Sequence, residues 1–238
     1  DFRKAFIASD PVAELVTSSE EVLARISPVL YFQVLLTQAL KELEQVTHTV
    51  ERTGRDTIPV FDTKEVVDLL GRPPVLEYLT DLLASFTRVE SYVLPVRVRR
   101  GIWRKVRFND MDIDGLIRLC ATADDERRLA YYKRIGDVCL FNLGVFPEHA
   151  RATSLRTGGP SLAPQSSRRA ARSLEEYEEE GRRFYRMAGE HPTAKALEIA
   201  QLFNLLYDKF SVASKPLSFV ARRYLTHQKR TVFGGSQP

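Results

Sequence analysis

The chain of 238 residues reads as mainly α: a multi-helix, bundle-like single domain over residues 1–238 with one inserted antiparallel β-hairpin at 92–108. Three observations predict this. Apolar residues recur at three- and four-residue spacing through most of the chain. Helix-starting residues stand in front of those runs, and one segment alternates instead. A chain of this length can bury about 70–75% of its unfolded surface without a disulfide or metal staple, and a hydrophobic content of 44% with 28% charged residues is ordinary for a globular protein.

Taken in order, Ser18 with Glu21 reads as a capping box, in which the hydroxyl takes an orphan amide and the carboxylate reaches back. Ser27-Pro28 supplies an N-cap and a proline at the first helical position. Val29, Phe32, Leu36, Ala39, Leu43, Val46 and Val50 then keep helical spacing, predicting one long amphipathic helix that ends at Gly54. Asp62 with Glu65 caps a short helix stopped by Gly71, and Pro73-Pro74 opens the next. After the hairpin, helices are expected from about Asp114 to Ala121 and from about Asp125 to Leu143. Thr157–Arg169, rich in Gly, Pro and Ser, reads as a flexible surface loop. Ser173 with Glu176 caps a helix carrying the acidic run EEYEEE. His191-Pro192 starts a helix through Phe210, and Pro216 opens a last basic one.

Bulk properties exclude several classes. No apolar run reaches the 18 or more residues of a membrane span, so no membrane partner is expected. The N-terminal DFRKAFIASD lacks the apolar core of a secretory signal. Cys120 and Cys139 are too few for a disulfide framework and read as small buried apolar residues, which suits a reducing, cytoplasmic setting.

Charge is segregated along the chain. Residues 1–90 carry 9 basic against 15 acidic side chains, whereas 91–118 carry 7 against 3. Residues 151–174 and 214–238 each carry 5 basic side chains and no acidic one. Such blocks are the composition of local anion-binding surfaces.

Within 92–108, a three-residue loop Arg99-Arg100-Gly101 is expected, with glycine in the left-handed position. Val98 then faces Ile102, Val96 faces Arg104, Leu94 faces Val106 and Tyr92 faces Phe108. That collects the apolar side chains on one face and Arg97, Trp103, Lys105 and Arg107 on the other. Slipping by one residue would mix the faces. Guanidinium and ammonium groups give charge-assisted hydrogen bonds to phosphate, and an exposed indole stacks on a base. Arg222 and Arg223, near Tyr224, form a second basic–aromatic group. The bland alternative is an edge ribbon kept soluble by its charges, with Trp103 packed on a neighbour.

Asp110, Asp112 and Asp114, followed by Gly115 and Ile117, resemble the first eight positions of an EF-hand calcium loop. The resemblance covers under a dozen residues. Position 12, where the family carries a bidentate glutamate, is Ala121, so calcium should bind weakly or not at all. The competing reading is that Asp112 or Asp114 caps the following helix. Glu44 and His48, one helical turn apart, and Glu148-His149 read as polar surface pairs. No zincin, nucleophile-elbow, Walker or dinucleotide motif occurs.

The expectation is therefore a non-enzymatic cytoplasmic protein that holds a polyanion, nucleic acid above all. Its contact residues would be Arg97, Arg99, Arg100, Trp103, Lys105, Arg107, Arg222 and Arg223, with no catalytic residue, metal or cofactor. A helical adaptor for a protein partner is the second class. An enzyme or cofactor-binding bundle without a recognisable motif is the third.

Overall fold

The computed structural model describes residues 7–18, 25–46, 48–53, 56–88, 91–148, 172–226 and 228–233. Eleven helices and four strands occur among them. The order is α1 (Asp10–Ser18), α2 (Pro28–Glu44), β1 (His48–Thr53), β2 (Asp56–Asp62), α3 (Thr63–Leu70), α4 (Pro73–Ser85), β3 (Ser91–Arg99), β4 (Ile102–Asn109), α5 (Ile113–Thr122), α6 (Asp125–Val145), α7 (Leu174–Glu190), α8 (Pro192–Ala196), α9 (Ala200–Asp208), α10 (Phe210–Arg223) and α11 (Lys229–Phe233). The architecture is mainly helical, and no helix among the described residues is long and apolar enough to cross a membrane. The loop expected at 157–169 lies outside the described residues.

Helix α6 is the axis of the body. Ile135 through Phe141 are buried without interruption, as a helix surrounded on all sides requires. Helices α7 and α10 pack along it, and α5 and α4 flank it. Two glycines permit close approaches to this helix and its neighbour. A Cβ on Gly136 would stand 2.8 Å from the Tyr185 ring, and one on Gly181 would stand 2.2 Å from Phe210. At one end Phe233 of α11 stacks on Phe32 at 5.7 Å and meets Phe141 edge-on at 5.1 Å, so the chain's last described helix closes the core.

Several helix boundaries follow the local chemistry. Ser27 accepts the Leu30 amide at 3.2 Å and Pro28 opens α2. Ser173 and Glu176 form the full capping box of α7. Thr193 N–H donates to His191 Nδ1 at 3.2 Å, which leaves the ring proton on Nε2, donated to the Asp125 carbonyl at 2.9 Å.

Other boundaries differ from the sequence expectation. Ser18 is the last residue of α1, and the helix expected to start from Ser18 and Glu21 falls on residues 19–24, outside the described residues. Helix α2 stops at Glu44, and residues 48–53, expected as helix, pair antiparallel with 56–62 as β1/β2. A second two-stranded sheet therefore exists where the sequence pattern predicts only one. The four-residue step from Val46 to Val50 fits a strand's period of two as well as a helix's 3.6. Thr47, Thr49, Val50 and Thr53 are β-branched and favour the strand. The register shift between Thr49 and Val50 skips Val60, beside Pro59, where a ladder donor is missing.

The helix expected from His191 to Phe210 is three pieces. Ile199 N–H reaches the Ala194 carbonyl at 3.0 Å and Glu198 N–H reaches Lys195 at 3.1 Å, a Schellman closure of α8 with Glu198 at φ 59°. Pro216 sits inside α10 and does not open it, because Phe210, Ala213, Leu217 and Val220 carry one buried face across the missing hydrogen bond.

Candidate nucleic-acid interface

Strands β3 and β4 pair antiparallel, with Tyr92 opposite Phe108, Leu94 opposite Val106, Val96 opposite Arg104, Arg97 opposite Trp103 and Arg99 opposite Ile102. The expected Val98–Ile102 pair does not form. The register shifts between Arg97 and Arg99, so Val98 is the extra residue and the turn tightens to Arg100-Gly101. Gly101, at φ 80°, takes the backbone conformation that an L side chain resists. A bulge lets the tip turn tightly without sliding the rest of the ribbon by one residue.

Alternation places Val93, Pro95, Arg97, Trp103, Lys105, Arg107 and Asn109 on one face of the ribbon. The side chains of Arg97 and Arg107 lie outside the described part of the structure. Those of Arg99, Arg100 and Lys105 are exposed, and none forms an ion pair among the described residues. Trp103, the sole tryptophan of the sequence, is 63% exposed, so it is not packed on a neighbouring helix. Val93 and Ile102 are also exposed, at 55% and 57%. Exposed Ile102 departs from the continuous apolar inner face expected, because the bulge at Val98 removes its partner. The ribbon meets the helical body where β4 adjoins α5.

The second basic group is elsewhere and is partly neutralised. Arg222 and Arg223 end α10, which packs on α6, α3 and α2. Arg223 Nε donates to Glu42 at 3.2 Å, and the Tyr224 hydroxyl donates to the other oxygen of that carboxylate at 2.8 Å. Lys229 donates to the Val145 carbonyl at 2.9 Å, so its charge serves the C-terminal end of α6.

The aspartate run is divided among three tasks. Asp110 pairs with Arg134 at 2.7 Å, Asp112 caps α5 by accepting the Gly115 amide at 3.2 Å, and Asp114 pairs with Arg172 at 2.5 Å. Arg172 also holds Glu180 of the acidic EEYEEE run at 2.6 Å, tying α7 to the start of α5. No group of three or more candidate metal ligands assembles among the described residues. Glu44 and His48 are not one helical turn apart, since the helix ends at the first and β1 begins at the second. His149 lies outside the described residues, and Glu148 pairs with Lys229 at 3.4 Å.

A polar cluster that sequence reasoning missed lies in the core. The Asp137 carboxylate, 1% exposed, accepts the Tyr78 hydroxyl at 2.5 Å, the Tyr185 hydroxyl at 2.8 Å and Lys133 Nζ at 2.6 Å. Burial first, then the neighbouring carboxylate, pushes both phenols well above their ordinary range. The available signal was a lone Asp inside the otherwise apolar Ile135–Phe141 run. Burial likewise pushes the Cys139 thiol up, leaving it inert. No protein-family model, curated protein or solved structure matches the chain.

Proposed function

We propose that the protein binds nucleic acid along the outer face of the β3/β4 ribbon, in a binding role and not a catalytic one. The observation that supports this reading is an exposed indole with exposed Lys105 on that face and exposed Arg99 and Arg100 at the tip, three cations that have no acidic partner among the described residues. Cations left unpaired by the fold release counterions when they meet phosphate, and the indole face accepts a base. Arg97 and Arg107 extend the basic row by register. Arg223, bound to Glu42, contributes less than its charge suggests.

The test is fluorescence anisotropy with labelled single- and double-stranded oligonucleotides across a salt series. Trp103→Ala should weaken binding by about 1–3 kcal/mol and leave stability within about 0.5 kcal/mol, because the ring is exposed. Replacing Arg97, Lys105 and Arg107 together should flatten the log-affinity against log-salt slope by about one unit for each phosphate no longer neutralised. Absence of any anisotropy change at low salt refutes the reading.

One observation favours a second reading. Val93, on the face of Trp103, and Ile102, on the other, expose apolar surface, as an anchor for a protein partner would. Such a complex would hold its affinity as salt rises.

A further inference from the structure

We propose that the cleft at the root of the ribbon is a phosphodiester subsite that continues the ribbon's binding path, an inference that rests on the nucleic-acid reading above. The cleft has a volume of about 480 Å³ and is lined by Arg88, Tyr131, Arg134, Asp110 and Ser85 over an apolar floor that includes Leu116. That volume suits a small polar group with its immediate neighbours.

Arg134 is the fixed element. Its side chain is 16% exposed and its guanidinium lies over the Phe86 ring at 4.1 Å. Nε donates to the Asp110 carbonyl at 3.1 Å, one terminal nitrogen to Ser85 Oγ at 2.9 Å and the other to Asp110 Oδ2 at 2.7 Å. A guanidinium carries five N–H donors, so two remain without an acceptor among the described residues. Packing and three hydrogen bonds hold them in place before any ligand arrives, which lowers the ordering cost of binding.

Two further groups share the cleft. Arg88 is exposed and forms no ion pair among the described residues, and the Tyr131 hydroxyl forms no hydrogen bond among them. Asp110 balances Arg134, so Arg88 leaves the lining with a net positive charge. Donors from two guanidiniums and a phenol, with one uncompensated charge, are the chemistry that receives a tetrahedral anion.

Position selects a strand phosphate. Asn109 shares the face of Trp103 and Lys105 by register, and Asp110 follows it directly into the cleft lining. Asn109 Oδ1 accepts the Met111 amide at 2.8 Å, which turns the chain at this point. The ribbon runs about 30 Å from root to tip at roughly 3.3 Å per residue, so a polynucleotide lying on its outer face arrives at the cleft.

The experiment compares Arg88→Ala, Arg88→Lys, Tyr131→Phe and Trp103→Ala in the full chain, using a labelled single-stranded oligonucleotide of about 20 nucleotides, longer than a single short site. Inorganic phosphate is titrated separately. Arg88→Ala should lower affinity by about tenfold and flatten the salt slope by about one unit, whereas Arg88→Lys should keep the slope. Tyr131→Phe should weaken binding without changing the slope. Unaltered affinity and slope in Arg88→Ala, with Trp103→Ala still impaired, overturns the cleft and leaves the ribbon reading standing. Wild-type protein that binds no oligonucleotide overturns both. Phosphate binding that depends on Arg88, with oligonucleotide binding indifferent to it, assigns the cleft to a free anion and overturns the strand path.

Discussion

Replacing Asp137 by alanine should destabilise the protein by about 3–5 kcal/mol, the range for a buried charge network that loses one partner. The magnitude follows from three interactions of unequal weight. Lys133 is 42% exposed, so its ammonium returns to water and contributes little. The Tyr185 hydroxyl is fully buried, and the Tyr78 hydroxyl turns inward onto the same oxygen, Oδ1. Each loses a charged acceptor, and an orphaned buried donor costs about 1–3 kcal/mol. The two phenols lie 3.5 Å apart and can satisfy only one of the two donors between them. Tyr185→Phe removes a donor and leaves Asp137 two partners, so it should cost about 1.5–3 kcal/mol. In the double variant that orphan no longer exists, and the total should fall short of the sum by about 1–2 kcal/mol. Urea unfolding followed by far-ultraviolet circular dichroism measures this; fluorescence is a poor reporter because Trp103 is exposed on the ribbon. Strict additivity, or a cost below about 1 kcal/mol for Asp137→Ala, refutes the network as a stabilising unit.

Two further predictions concern pH and metal. Tyr78 and Tyr185 are held above their ordinary range in the fold, so the stability they carry is complete below the unfolded phenol value of about 10 and is lost as pH rises beyond it. An absorbance titration should show these two phenols ionising only as the protein unfolds; their early ionisation in folded protein contradicts the cluster. Calorimetry of chelator-treated protein should give no saturating calcium isotherm in the micromolar range, because Asp110 and Asp114 are bound to arginines, Asp112 caps α5 and Ala121 supplies no ligand. A tight isotherm would show that the carboxylates leave those partners.

The site was legible in proportion to how local its chemistry is. Basic residues and the lone tryptophan could be grouped from alternation alone, but their availability could not. Arg99, Arg100 and Lys105 are unpaired among the described residues, while Arg223 and Arg172, equally basic in sequence, are held by Glu42 and by Asp114 with Glu180. The turn is one residue shorter than alternation predicts, because the bulge at Val98 depends on how both strands twist and not on either one.

What the sequence by itself determined is the helical class and the helix starts whose partners lie within four residues: Ser27 with Leu30, Ser173 with Glu176 and Asp112 with Gly115. Such bonds form inside one turn of chain, so residue type and spacing suffice. Tertiary structure decided the rest. It joined Tyr185 to Asp137 across 48 positions and Arg134 to Asp110 across 24. It also brought Phe233 onto Phe32 and made 48–53, expected as helix, the strand β1. Burial makes the difference: an aspartate or arginine is cheap in water wherever it stands, and only the packed interior obliges it to find a particular partner.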